Sequence, residues 1–289
     1  NEASRMSKAD LPAPKPSGGL RERAITAAIL APIGIAGVML MPQIWFAIAL
    51  GLLFLVGVWE WTRLSGWRST PVRIVLVALH VLMFTSVWFG SDVARTQTVW
   101  TGVVFWLLAP WWLRHYHFGE QAGKRSLLIK NLACALAIVP AWTAAIVLHG
   151  GDRGPWWVLF LLVLVWCADS CAYFAGRRFG TTKLAPNISP GKTTAGVYGA
   201  LVGCTIYALG LGHFAFAVPV QRLPIFVALC VVTVVFSIIG DLLESLIKRH
   251  SQAKDSGTLF PGHGGALDRF DSMFAALPIF VAGKLTLGL

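Results

Sequence analysis

Long apolar stretches alternate along the chain with short connections that hold almost all of its basic residues. An α-helix rises about 1.5 Å per residue, so roughly 20 mostly apolar residues cross the hydrocarbon core of a bilayer. Nine stretches meet that need: 24–41, 43–62, 72–90, 97–113, 131–149, 155–176, 194–214, 223–247 and 272–289. Pro42 and Gln43 separate the first two, and Lys284 interrupts the last at a depth from which an amine can snorkel to the interface. The pattern predicts an all-α, polytopic integral membrane protein with about nine transmembrane helices.

Composition agrees. Of 289 residues, 56% are hydrophobic and only 13% charged, about half the charged share of a soluble domain. That excludes a single soluble core, and the apolar content excludes disorder. The net charge of +11 would suggest a nucleic-acid partner in a soluble protein, but here the basic residues flank apolar segments and read as topology signals facing anionic membrane lipids. With the N-terminus in the cytoplasm, twenty Lys and Arg fall on the inner side. Only Arg95, Arg153 and Arg222 fall outside. The five cysteines all lie in apolar segments without a CxxC pair, which argues against a disulfide framework or a zinc site.

Three regions are expected: a flexible cytoplasmic tail over 1–20, an anchoring transmembrane region over 21–150, and a catalytic transmembrane region over 151–289. All 13 tryptophans lie between Trp45 and Trp166, many near segment ends as interface anchors. The second half instead concentrates glycine, intramembrane acids and long polar loops. Acids inside membrane segments are functional candidates by default, and Asp169, Asp241 and Glu244 all fall near the cytoplasmic ends of their segments. Asp241, Glu244, Ser245 and Lys248 follow i, i+3, i+4, i+7 and so share one stripe of a helix.

Two polar loops follow these acids. The loop over 248–271 combines Lys248, Arg249, Lys254 and Arg269 with Gly264, Gly265, His263, Asp268 and Asp271. Glycines let backbone N–H groups approach phosphate oxygens, cations neutralise them, and carboxylates suit Mg²⁺. The loop over 177–193 ends in Ser189-Pro190-Gly191-Lys192-Thr193. It is not a Walker loop, because Pro186 stands at the first glycine position and no strand precedes it. It reads as a phosphate-seeking loop entering a helix N-terminus. His115 and His117 read as an interface cluster, and Gly196, Gly199 and Gly203 as close-packing positions.

Ser245, Lys248, Arg249, Lys254, Asp255, Pro261, His263, Gly264, Gly265, Asp268, Arg269 and Asp271 stand at the spacings of a known signature. In these positions the chain resembles the phosphatidate cytidylyltransferase family, also called CDP-diacylglycerol synthases, over about 168–273. Two departures are visible: Ala266 where a larger aliphatic residue is usual, and Thr194-Ala195-Gly196 where the family commonly has Trp-Glu-Gly. The resemblance implies transfer of CMP from CTP to phosphatidic acid, with Mg²⁺, a monovalent cation such as K⁺ beside it, and a homodimer; nine spans with short outside loops suit a bacterial inner membrane. On that basis Asp241, Asp268, Lys248 and Asp169 are the catalytic candidates. Asp241 and Asp268 come first as metal ligands, with Glu244 and Asp271 behind them. Ser189, Lys192, Thr193, Ser245, Arg249, Lys254, His263, Gly264, Gly265 and Arg269 would bind substrate phosphates. His263 is a phosphate contact or loop organiser rather than a base, because a phosphate monoester is already anionic at neutral pH. The rivals are a CTP-dependent polyprenol or phytol kinase, and a cation-coupled transporter using the intramembrane acids.

Overall fold

The computed structural model describes residues 20–121, 123–257, 259 and 264–288. The tail to residue 19, and with it Arg5, Lys8 and Lys15, lies outside these residues, as do Pro261 and His263. The described residues form nine long helices: α1 (Leu20–Leu40), α2 (Gln43–Ser65), α3 (Thr70–Trp88), α4 (Asp92–Arg114), α5 (Lys124–Gly150), α6 (Gly154–Phe179), α7 (Thr194–Phe214), α8 (Leu223–His250) and α9 (Leu267–Leu287). Seven, α2, α3 and α5 to α9, have the length and apolar composition of a membrane span. About nine membrane spans were expected; among the described residues seven helices meet the length and composition of one.

The helices run past the predicted apolar windows because their polar ends continue the backbone ladder. Pro71, Pro155 and Pro224 sit in first turns, where the missing N–H is harmless. Ser91 caps α4 by accepting from the Ala94 N–H at 3.2 Å, and α2 stops at Gly66, whose φ of 106° is left-handed. Lys248, Arg249 and His250 form the last turn of α8, where cations suit the helix dipole. Asp268, Arg269 and Asp271 belong to the start of α9, so the predicted 248–271 loop shrinks to a 251–266 connection. The 177–193 loop contains an antiparallel hairpin, β1 (Lys183–Ala185) and β2 (Ser189–Thr193), with Lys183 opposite Thr193. Its turn residues, Pro186 and Asn187, favour reversal.

Hydrogen bonds show that successive helices alternate in direction. At one end, Arg63 donates to the Ser256 carbonyl, His250 to the Tyr116 carbonyl (2.7 Å) and Arg249 to the Ile188 carbonyl (3.0 Å). These bonds tie together the α2–α3, α4–α5, α6–α7 and α8–α9 junctions. At the other end, Gln43 donates to Ile146 (2.9 Å), His149 to Val38 (3.0 Å) and Arg153 to Ala215 (3.0 Å). The first end carries the basic connections.

α5 and α9 are the most buried spans. Three tryptophans, one of them (Trp61) near the end of a predicted segment, cross-link this core. Trp61 donates to the Lys130 carbonyl (3.0 Å), Trp106 to Phe274 (2.9 Å) and Trp142 to Ala47 (2.9 Å). A buried indole N–H needs an acceptor, and these carbonyls supply it. Trp45, Trp111 and Trp156 remain exposed. The glycines of α7 do serve close packing: a Cβ at Gly199 would stand 2.4 Å from Ala175 Cβ, and one at Gly203 2.4 Å from Cys171 Sγ on α6.

Candidate active site

The polar stripe of α8 is realised as contacts. Ser245 donates to Asp241 Oδ1 at 3.3 Å, and Lys248 pairs with Glu244 at 2.5 Å. Lys248 also reaches across to Asp268 on α9 at 2.7 Å. The Lys248 side chain is 14% exposed and Glu244 only 2%, so this is a nearly dry cation between two carboxylates. Gly240 lets α9 come this close, since a Cβ there would lie 2.6 Å from the Asp271 carbonyl.

The hairpin supplies a second pair. It brings Lys192 Nζ to 2.6 Å from Asp241 Oδ2, with the two side chains 24% and 31% exposed. Asp169, on α6, lies within electrostatic reach of both Asp241 and Lys192. Asp271 lies within reach of Asp241, Lys192, Lys248 and Glu244. The structure therefore gathers Asp169, Asp241, Glu244, Asp268 and Asp271 around Lys192 and Lys248, five carboxylates to two ammonium groups. Glu244 Oε1 is buried without a hydrogen-bond partner among the described residues.

Other predicted residues hold the framework. Thr193 is buried and caps α7, its Oγ1 accepting from the Gly196 N–H at 3.1 Å. Arg249 spends its Nε–H on the hairpin turn at Ile188. The Gly265 N–H donates to Asp268 Oδ2 at 2.8 Å, as do the Ser256 N–H (2.9 Å) and hydroxyl (2.8 Å). Gly264 takes a left-handed φ of 83° in the turn before it. Ser189 is half-buried on β2, while Lys254 and Arg269 are exposed.

One acid of the site comes from the region expected to anchor. Glu60, near the end of α2, is 6% exposed and accepts from the Ser256 hydroxyl (2.9 Å), the Ala266 N–H (3.2 Å) and the Leu267 N–H (2.8 Å). It satisfies the first N–H groups of α9, which has no side-chain cap of its own. The signal was available: Glu60 is an acid inside an apolar segment, as much as Asp169 is. Its neighbour Arg63 makes it look like an ordinary helix-end charge.

Carboxylates in excess over cations, one with an orphaned oxygen, form a hard-oxygen donor set suited to Mg²⁺. No three acids or histidines among the described residues are already gathered as a metal site. Mg²⁺ typically takes one or two carboxylates and completes its shell with water and substrate phosphate, so the donors fit an ion that shares phosphate ligands.

The cytidylyltransferase family pattern matches residues 21–285. The chain belongs to the cytidylyltransferase family. It is 37% identical over 265 residues to a phosphatidate cytidylyltransferase of Pseudomonas aeruginosa, covering 91% of this chain and 96% of that protein. It is 34% identical over 279 residues to that of Haemophilus influenzae, covering 90% and 97%. A shorter match, 44% over 130 residues, covers 42% of this chain and 45% of the Bacillus subtilis phosphatidate cytidylyltransferase. The family likeness thus extends well beyond 168–273 and takes in α2 with Glu60.

Proposed function

We infer that this chain is an enzyme that transfers CMP from CTP to phosphatidic acid, giving CDP-diacylglycerol and pyrophosphate for phospholipid synthesis. The supporting observation is the conjunction of relatives of that name along nearly the whole chain with a cluster of lysines and carboxylates at one end of the bundle. A γ-phosphate kinase and a transporter lack that first support.

In the reaction a lipid phosphate oxygen bonds to the α-phosphorus of CTP, and the α–β anhydride bond breaks. No general base is needed for an anionic phosphate monoester. Such transfers depend chiefly on positioning and on neutralising charge. Lys192 and Lys248 are point charges for phosphate oxygens, held until then by Asp241, Glu244 and Asp268. Lys254 and Arg269 add exposed cations for the incoming triphosphate, with the Ser189 hydroxyl on the hairpin. Asp241 and Asp268 would hold Mg²⁺, with Glu244, Asp271 and Asp169 around them. Bound Mg²⁺ supplies charge neutralisation for the leaving pyrophosphate. The surplus of carboxylates also suits a monovalent cation such as K⁺. The basic end faces the cytoplasm, where CTP is found, and the enzyme works as a homodimer in a bacterial inner membrane.

Product analysis tests the activity. Purified protein with CTP, phosphatidic acid and Mg²⁺ should release one pyrophosphate per CDP-diacylglycerol formed. Release of CDP with a phosphorylated lipid alcohol would replace this function with that of a kinase.

A further inference from the structure

We propose that Glu60 is a positioning residue for Asp268, acting from α2 through the Ser256 hydroxyl; this rests on the function proposed above. Ser256 Oγ lies 2.9 Å from Glu60 Oε2 and 2.8 Å from Asp268 Oδ2. The hydroxyl has one proton, so it donates to one carboxylate at a time and ties the two acids together. Glu60 also accepts the Ala266 and Leu267 N–H groups immediately before Asp268. The backbone that carries Asp268 is thus pinned by the side chain of a different helix. Arg63, one turn further along α2, donates to the Ser256 carbonyl.

The surrounding backbone is built around this carboxylate. A Cβ at Gly257 would lie 2.0 Å from Glu60 Oε1, and one at Gly265 2.4 Å from Oε2. Glycine at these two positions makes room for an acid, which gives Gly265 a use besides approach to phosphate. Asp268 in turn holds Lys248 at 2.7 Å. A chain of contacts therefore runs from Glu60 through Ser256 and Asp268 to Lys248. A site needs its reacting groups fixed closely, and the residues behind them do the fixing.

The test uses the full chain in detergent, with Glu60→Gln and Ser256→Ala. One arm needs no catalysis: tryptic cleavage after Lys254, which is exposed in the α8–α9 connection. Glu60→Gln should speed it about fivefold, because the connection opens locally more often. In the second arm both variants should lose about tenfold in kcat while KM for CTP stays within about twofold. The double variant should lose little more than Glu60→Gln alone, as expected for residues acting in one chain of contacts. Wild-type kcat per folded molecule in both variants overturns the proposal, and so does unchanged cleavage. If Glu60→Gln does not fold, Ser256→Ala carries both arms. If the wild type makes no CDP-diacylglycerol, the function fails, and the cleavage arm still decides whether Glu60 holds the connection.

Discussion

Lys248 stands between Glu244 and Asp268 with little access to water, and Lys254 stands in solvent. The two lysines are therefore not equivalent. Removing one partner of a buried ion pair leaves an uncompensated charge and costs about 3–5 kcal/mol. Lys248→Ala should lower the melting temperature and abolish turnover. Lys254→Ala should leave stability unchanged and raise KM for CTP about three- to tenfold, as loss of an exposed charge does. Melting curves and steady-state kinetics on both variants check this. The intramembrane acids and the α8 stripe were legible in the sequence because helical spacing places i and i+4 side by side. The capping role of Thr193 and the hairpin bond of Arg249 were not. A hydroxyl or guanidinium in a polar loop offers the same chemistry to substrate and to backbone, and only the fold decides which it meets.

Helices α6 and α7 are joined by contact too close for side chains. Gly199 faces Ala175 and Cys171 with no room for a Cβ. Gly199→Val should overpack the interface and cost about 1–3 kcal/mol, seen as a lower melting temperature in detergent; an unchanged melt would mean that the helices do not meet as described. The apolar periods made these elements readable, but their polar ends were harder to place. The start of α9 is the clearest case. Its N-cap residue, Ala266, makes no side-chain cap bond, and Glu60, some two hundred residues earlier, supplies the acceptors. Capping from another helix leaves no local sequence trace. The hairpin escaped for a related reason: it is short, and it is fixed by the burial of Ile188 and by Arg249 on α8.

At the scale of the molecule, the end that carries the candidate site also carries the basic connections. That placement predicts sidedness. Cysteines at Asn187 and Asp255, both exposed, should react with an impermeant thiol reagent only from the cytoplasmic side. Cysteines at Asp152 and Gln221, also exposed, should react only from the other. Ser256 is buried and makes a poor probe. That α2, from the region expected to anchor, reaches the candidate site was not legible in the sequence, since it does so only once the bundle is packed. The decisive measurement is the fate of label placed in the α-phosphate of CTP, with wild-type protein and the folded Asp268→Asn variant. Asn keeps the shape of Asp268 but removes the charge facing Lys248. Label should enter phosphatidic-acid-dependent lipid with the wild type and not with the variant. Equal incorporation by the two, or entry of γ-phosphate label instead, would contradict CMP transfer at this site.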